Sequence, residues 1–390
     1  MAKKIGLVLA CKGTSYGMNL QAFATQYIIE SLGFNTEIIR FGNSSSPFIF
    51  DRYLIVHLLK LAKRKIKNII KKPQKNNDII HSKNYKDRII VAQDFRNKYL
   101  HSFTEAMSGK MLTLYVKNNY HAVLVGSDQV WLPGFSFTNT TSLFFVPDGV
   151  KRIAYSSSLG VSLYPKYCYN SAKAAWIRFD TIAVREDSGK RIINDVCEGK
   201  KNVKVVIDPT YLITKEKWLE IIPYKRIIEE PYVLCFILGN NEEQQLCAKR
   251  YAKHMGLKLV SILSNESESS IDCSFADQII TGASIEDFIN LIRGADYIFT
   301  DSFHGIAFSV INEKQIFVFY RKRDDAKGSM SRNSRIDNIL NLWGISNRLI
   351  QYPSCDWTCK TCESIDYSLV SKILEEKRIE SLSLLQNALL

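Results

Sequence analysis

The sequence predicts an α/β protein built from two doubly wound, mostly parallel sheets, one in each half of the chain. Three observations predict it. Short apolar, β-branched runs alternate with amphipathic stretches of helical period. These runs fall into two series, and the segment from Asp208-Pro209-Thr210 to Glu230-Pro231 ends one before the other begins. At 390 residues, 46% of them hydrophobic, the chain is long for one core and apolar enough for two.

The elements follow in order. Residues 5–11 read as a first strand. Residues 20–32 read as a helix, because Leu20, Phe23, Ala24, Tyr27, Ile28 and Ser31 recur at three and four, with Gly33 as the stop. Strands are expected at 36–41, 122–125, 152–156, 181–184 and 203–207, and in the second series at 232–238, 258–263, 297–300 and 315–319. Helical patterns lie between them, as at 241–255 and 284–294, and a further helix is expected at 306–311. This gives a first half at 1–215, a second at 216–350 and a helical extension at 351–390. The apolar positions Leu369, Ile373, Leu374, Ile379, Leu382 and Leu385 of the extension suit a helix packed across both halves. Two Rossmann-like halves facing a cleft resemble the GT-B architecture.

Residues 48–101 interrupt the first half. Leu54, Leu58, Leu61, Ala62, Ile66, Ile69 and Ile70 form a loose apolar stripe, and Arg52, Lys60, Lys63, Arg64, Lys65, Lys67, Lys71 and Lys72 crowd the remainder. A basic amphipathic helix reads as contact with an anionic membrane surface or a partner, or as a helix packed on its own domain with a solvated basic face. The formal net charge of +13, from 52 basic and 39 acidic residues, suits polyanions. Nucleic acid is disfavoured, since the basic residues cluster in one helix and one loop and no recognised nucleic-acid motif appears. No segment has the run of about 20 apolar residues that spans a membrane. The apolar run at 5–11 is too short for a signal peptide. With nine scattered cysteines, this favours a reducing cytoplasm.

The chemistry concentrates at strand ends. At 297–305 an apolar run stops at Thr300-Asp301-Ser302, and Phe303, His304 and Gly305 follow. Open α/β sheets bind ligands at this place. The same kind of segment, Val125-Gly126-Ser127-Asp128-Gln129-Val130-Trp131, occurs in the first half. If the halves face each other, both line one cleft; otherwise their serines and aspartates only cap the following helices. Arg185, at a third strand end, is suited to a carboxylate or phosphate, or to an ion pair with Glu186 or Asp187. Arg321-Lys322-Arg323 and the loop 328–335, which holds Ser331 and Arg335, could close over an anion or stay solvated. Lys12-Gly13-Thr14-Ser15-Tyr16-Gly17 is neither GxGxxG nor a P-loop, yet Tyr16, Asn19 and Gln21 could contact a ligand at the start of the helix that follows. Cys355, Cys359 and Cys362 have the spacing of a radical-SAM cluster in the wrong context; a metal or a redox pair stays open there.

Tyr16-Gly17-x-Asn19-Leu20-Gln21, Val125–Trp131, Tyr155-Ser156-Ser157-Ser158-Leu159-Gly160, Val184-Arg185-Glu186, Ile207-Asp208-Pro209-Thr210 and Thr300–Gly305 occur in this order. The ordered set resembles the polysaccharide pyruvyl transferase family over about residues 4 to 350. The resemblance implies a GT-B-like fold and transfer of pyruvate from phosphoenolpyruvate to a sugar of a polysaccharide or lipid-linked glycan precursor. The product is a pyruvate ketal, and phosphate is released. No metal or redox cofactor is implied. His304, Asp128 and Arg185 become the catalytic candidates. Asp301, Ser302, Gly305, Arg321, Ser331 and Arg335 become donor contacts, and Tyr16, Asn19, Gln21, Gly126, Ser127 and Gln129 acceptor contacts. Other branches carry Arg-Leu-His where this chain has Ser302-Phe303-His304, so the donor's cation is expected from Arg335 or Arg321. A nucleotide-sugar glycosyltransferase and a non-catalytic glycan-binding protein are the competing readings.

Overall fold

The computed structural model describes residues 3–42, 49–70, 78–239, 241–263, 275–321, 333–353 and 363–390. Two six-stranded, all-parallel sheets organise the chain. The first holds β1 (Lys4–Val8), β2 (Asn35–Ile38), β3 (Ala122–Val125), β4 (Lys151–Ser157), β5 (Thr181–Val184) and β6 (Val203–Val205), in the order β2-β1-β3-β4-β5-β6. The second holds β7 (Tyr232–Phe236), β8 (Lys258–Ile262), β9 (Gln278–Ile280), β10 (Tyr297–Thr300), β11 (Gln315–Phe319) and β12 (Leu349–Ile350), in the order β12-β11-β10-β7-β8-β9. Each order reverses once, between β1 and β3 and between β7 and β10. Both are doubly wound Rossmann-like sheets, and together they form a GT-B-like fold.

The central strands β3 and β7 are apolar at every position because helices cover both faces. Thus Ala122, Val123, Leu124 and Val125 are all fully buried. The short edge strands β9 and β12 were not expected, since three and two residues are too few to show a period. Several expected strands end early for a visible reason. The N–H groups after β7, of Leu238 and Gly239, donate to the Asp301 carboxylate at 2.7 and 3.0 Å instead of continuing the ladder. After β6, Ile207 N–H donates to Ser381 Oγ of the last helix at 3.2 Å.

The helix after β1, Tyr16–Ser31, lies between the halves. Its Phe23 packs against Trp218, Phe95 and Tyr99, and its Tyr16 against Phe236 and Phe288. One apolar cluster therefore contains Ile5 and Leu7 of the first sheet together with Leu234 and Ile298 of the second. The helix Tyr367–Leu389 spans the two as well. Tyr367 donates to Lys314 O, Arg378 Nε donates to Tyr211 O at 3.0 Å, and Leu390 O accepts from Lys3. Leu369 and Ile379, expected on its packed face, are exposed; Arg378 and Ser381 are buried there instead.

The insertion forms two helices, Leu54–Ile70 and Asp78–Tyr99. In the first, Leu54 and His57 face inward while Ile55, Leu59, Leu61 and Ile66 are exposed. The second docks on the other half: Asn84 Oδ1 accepts from Gly282 N–H at 2.8 Å, and Lys98 pairs with Glu286 at 3.2 Å. Among the described residues, no helix is long and apolar enough to cross a membrane.

Candidate active site

The two reversal points face one another, and a cavity of about 330 Å³ lies between them. Helix Phe303–Ile311 begins directly at the end of β10. It was expected only from residue 306, but Ser302 caps it by accepting Gly305 N–H at 3.3 Å, so His304 sits in its first turn. Across the cleft, the first turn of helix Tyr16–Ser31 meets it. The imidazole packs on bare backbone there: a Cβ added at Gly17 would lie 2.0 Å from His304 Nδ1.

Behind His304 lies a buried network centred on Asp208. Its carboxylate accepts from Ser127 Oγ at 2.8 Å, Arg185 Nη1 at 3.0 Å, Thr210 Oγ1 at 2.8 Å and Thr210 N–H at 3.1 Å. His304 Nε2 stands 3.8 Å from Asp208 Oδ1, too far for a hydrogen bond, and has no hydrogen-bonding partner among the described residues. Burial pushes the Asp208 carboxyl up, but His304, Arg185, Thr210 and Ser127 outweigh it and hold it below the usual range. Burial pushes the His304 imidazole down; Asp208 opposes this, and Arg185 reinforces it. The net shift is downward, so His304 is neutral at pH 7.

Arg185 is more committed than expected. It contacts Asp208, Glu186 at 3.3 Å and Asp128 at 3.5 Å, and its guanidinium lies 4.1 Å from the centre of the Phe303 ring. Its side chain is 1% exposed, so it supports the site from behind instead of meeting a ligand. Arg321 and Arg335 do line the cavity, with Ser302, His304, Asp128, Gln129 and Tyr16. Burial, then Arg321 and Arg185, push the Arg335 guanidinium down to about 9. Crowded cations of this kind are relieved by a bound anion.

Six further expectations are corrected by burial. Asp301 is fully buried, ties the loop at Leu238 and Gly239, and lies 3.6 Å from Arg321 Nε. Gly305 packs on Thr300, where an added Cβ would come within 2.6 Å of the hydroxyl. Ser127 N–H donates to Gln21 Oε1 at 3.0 Å, and Gln21 Nε2 donates to Ala10 O at 2.9 Å, so both join the ends of β1 and β3. Asn19 Nδ2 donates to Gly13 O at 3.1 Å and Ser15 O at 2.8 Å, which fixes the loop before its helix. Gly126, at φ 145°, lies against Tyr155 O and allows the chain to turn there. These residues position the site and do not line it. Ser331, Cys355, Cys359 and Cys362 lie outside the described residues.

Three groups were missed. Asp208 entered only through the boundary segment and the Ile207–Thr210 motif, and it also caps the short helix that follows it. Gly17 gave no sign of the imidazole it accommodates. Arg88, from the insertion, is 4% exposed, lines the cavity, and lies 3.2 Å from the centre of the Tyr16 ring.

A family model described as Polysaccharide pyruvyl transferase matches residues 16–323. No curated protein sequence matches the chain. Among solved structures, similar ones include the UDP-GlcNAc 2-epimerase of Neisseria meningitidis bound to UDP-GlcNAc, at 14% identity and TM-score 0.44, covering 97% of this chain and 100% of that one. A putative UDP-N-acetylglucosamine 2-epimerase from Listeria monocytogenes has 10% identity and TM-score 0.48, covering 100% and 91%. The glycosyltransferase SnogD from Streptomyces nogalater has 8% identity and TM-score 0.42, covering 98% and 96%.

Proposed function

This chain belongs to the polysaccharide pyruvyl transferase family, and on that premise we propose that it transfers a pyruvyl group from phosphoenolpyruvate to a sugar of a polysaccharide or lipid-linked glycan precursor. The observation that carries this reading is the charge of the cavity. Among the described residues, Arg321 and Arg335 line it on the half that bears the buried His304, and Asp128 is the one carboxylate that lines it. Phosphoenolpyruvate brings a phosphate and a carboxylate, and planar guanidiniums bind both in bidentate fashion. Arg321 and Arg335 supply the cation that Ser302 lacks.

His304 carries the protons. Neutral at rest, it takes the proton of one sugar hydroxyl as the oxygen attacks the central carbon of the donor. The imidazolium so formed is stabilised by Asp208 behind it, a base backed by a buried carboxylate. The imidazolium gives this proton to the methylene carbon as the double-bond electron pair moves there, which makes the methyl group and returns His304 to its neutral form. The bond from the central carbon to the phosphate oxygen then breaks, and the second hydroxyl closes the ketal. Its proton leaves with the phosphate, so the diol loses two protons while one is held on carbon and one on phosphate. Asp128 and Gln129 orient the hydroxyls, and Tyr16 forms the wall beside them.

The exposed apolar side chains Ile55, Leu59 and Ile66 share their helix with exposed Lys60, Lys63 and Lys65. Such a helix suits peripheral contact with an anionic membrane bearing a lipid-linked acceptor. Among the described residues, the thiols of Cys11, Cys168, Cys197 and Cys235 are buried and form no disulfide, as suits a reducing, cytoplasmic setting. Phosphate release from phosphoenolpyruvate tests the reaction. Release should require the glycan and should fall about 100-fold or more in His304→Ala. Transfer from a nucleotide-sugar alone would overturn the reading.

A further inference from the structure

Arg88 is the least satisfied cation on the cavity wall. Its Nη2 donates to Thr14 O, but Nε and Nη1 are buried with no hydrogen-bonding partner among the described residues. Among the described residues it makes no ion pair, and burial alone pushes its guanidinium down to about 9. Two buried charged donors without a protein partner cost stability unless a bound group takes their hydrogen bonds.

The second observation lies beside it. Helix Tyr16–Ser31 begins on the cavity wall, its Ser15 makes no side-chain cap, and its first turn carries no acidic residue. The first N–H groups of a helix have no partner within it and attract anions. The loop before them is held rigid, because Arg96 Nη1 donates to Cys11 O at 3.1 Å and to Gly13 O at 3.0 Å. The guanidinium over Tyr16 and the open helix end thus converge on one place, on the opposite half from Arg321 and Arg335.

We propose that Arg88 and the N-terminus of helix Tyr16–Ser31 form a second anion subsite, which takes a phosphate or carboxylate carried by the acceptor. The inference rests on the reading above in one respect, that the donor occupies Arg321 and Arg335. It makes the acceptor an anionic glycan, either one linked through phosphate or one containing a uronic acid.

Calorimetry on the full chain tests it, with inorganic pyrophosphate and glucuronate as separate probes of the two sources. Each is titrated with and without saturating phosphoenolpyruvate. At least one probe should bind alongside phosphoenolpyruvate, and Arg88→Gln should weaken it about tenfold or more. Phosphoenolpyruvate affinity should change less than about twofold, and Arg88→Lys should restore part of the loss. Binding of pyrophosphate alone assigns a phosphate-linked acceptor; binding of glucuronate alone assigns an acidic sugar. Competition of both probes with phosphoenolpyruvate for one site overturns the proposal, as does probe binding that Arg88→Gln leaves unchanged. If phosphoenolpyruvate itself fails to bind, the donor reading fails, while an Arg88-dependent probe affinity still upholds the subsite. Arg88→Lys keeps the charge and so serves where Arg88→Gln does not fold.

Discussion

At the scale of single residues, His304 depends on what it touches. Gly17 leaves the space it occupies, so Gly17→Ala would drive a methyl group into the ring or displace the ring from the cavity. Overpacking of this kind costs about 1–3 kcal/mol. Steady-state kinetics should show at least a tenfold fall in kcat, while thermal melting shows only a modest loss. The lowered His304 value sets the pH dependence. As a base it must be neutral, so kcat/KM should hold through neutral pH and fall only as acid protonates it, below the ordinary value of 6.5. A profile that falls as pH rises through neutrality would make His304 the acid instead. Stability follows the same direction. The unfolded chain binds the His304 proton more tightly, so this contribution is present above 6.5 and lost as pH falls towards the folded value. The histidine was legible because it ends an apolar run. Asp208 and Arg88 were not, since their partners lie far away in sequence and a capping aspartate or a helical arginine looks ordinary.

At the scale of elements, the strand ends were legible and the insertion was not. Strands that are mostly apolar and carry no charge, such as β3, β5, β10 and β11, have the expected bounds because both faces are buried. The ends of β1, β6 and β7 were overestimated, since apolar residues continue past the last ladder bond. The insertion read as one basic amphipathic stripe. Its first helix keeps apolar side chains exposed beside lysines, while its second turns Arg88 into the cavity. If the first helix docks on anionic membrane, the protein should sediment with acidic vesicles, less so at high salt. Ile55→Glu with Leu59→Glu should abolish this and leave turnover of a water-soluble acceptor intact. Equal sedimentation with and without acidic vesicles would remove the membrane role.

At the scale of the whole molecule, two Rossmann-like sheets present their reversal points to each other, and the helices Tyr16–Ser31 and Tyr367–Leu389 tie them through shared packing. The cavity is therefore assembled from both halves: His304, Arg321 and Arg335 from one, Asp128, Tyr16 and Arg88 from the other. Alternation of strands and helices was enough to predict two such sheets. It could not show that Asp301 and Ser127 face inward, because a polar strand end reads the same whether it meets a ligand or a neighbouring loop. The central claim is pyruvyl transfer, and mass spectrometry of a glycan precursor incubated with the protein and phosphoenolpyruvate tests it most directly. The account predicts a gain equal to one pyruvate ketal per acceptor, with one phosphate released for each. An unchanged glycan with phosphoenolpyruvate, and a gain of one sugar when a nucleotide-sugar is supplied, would contradict it.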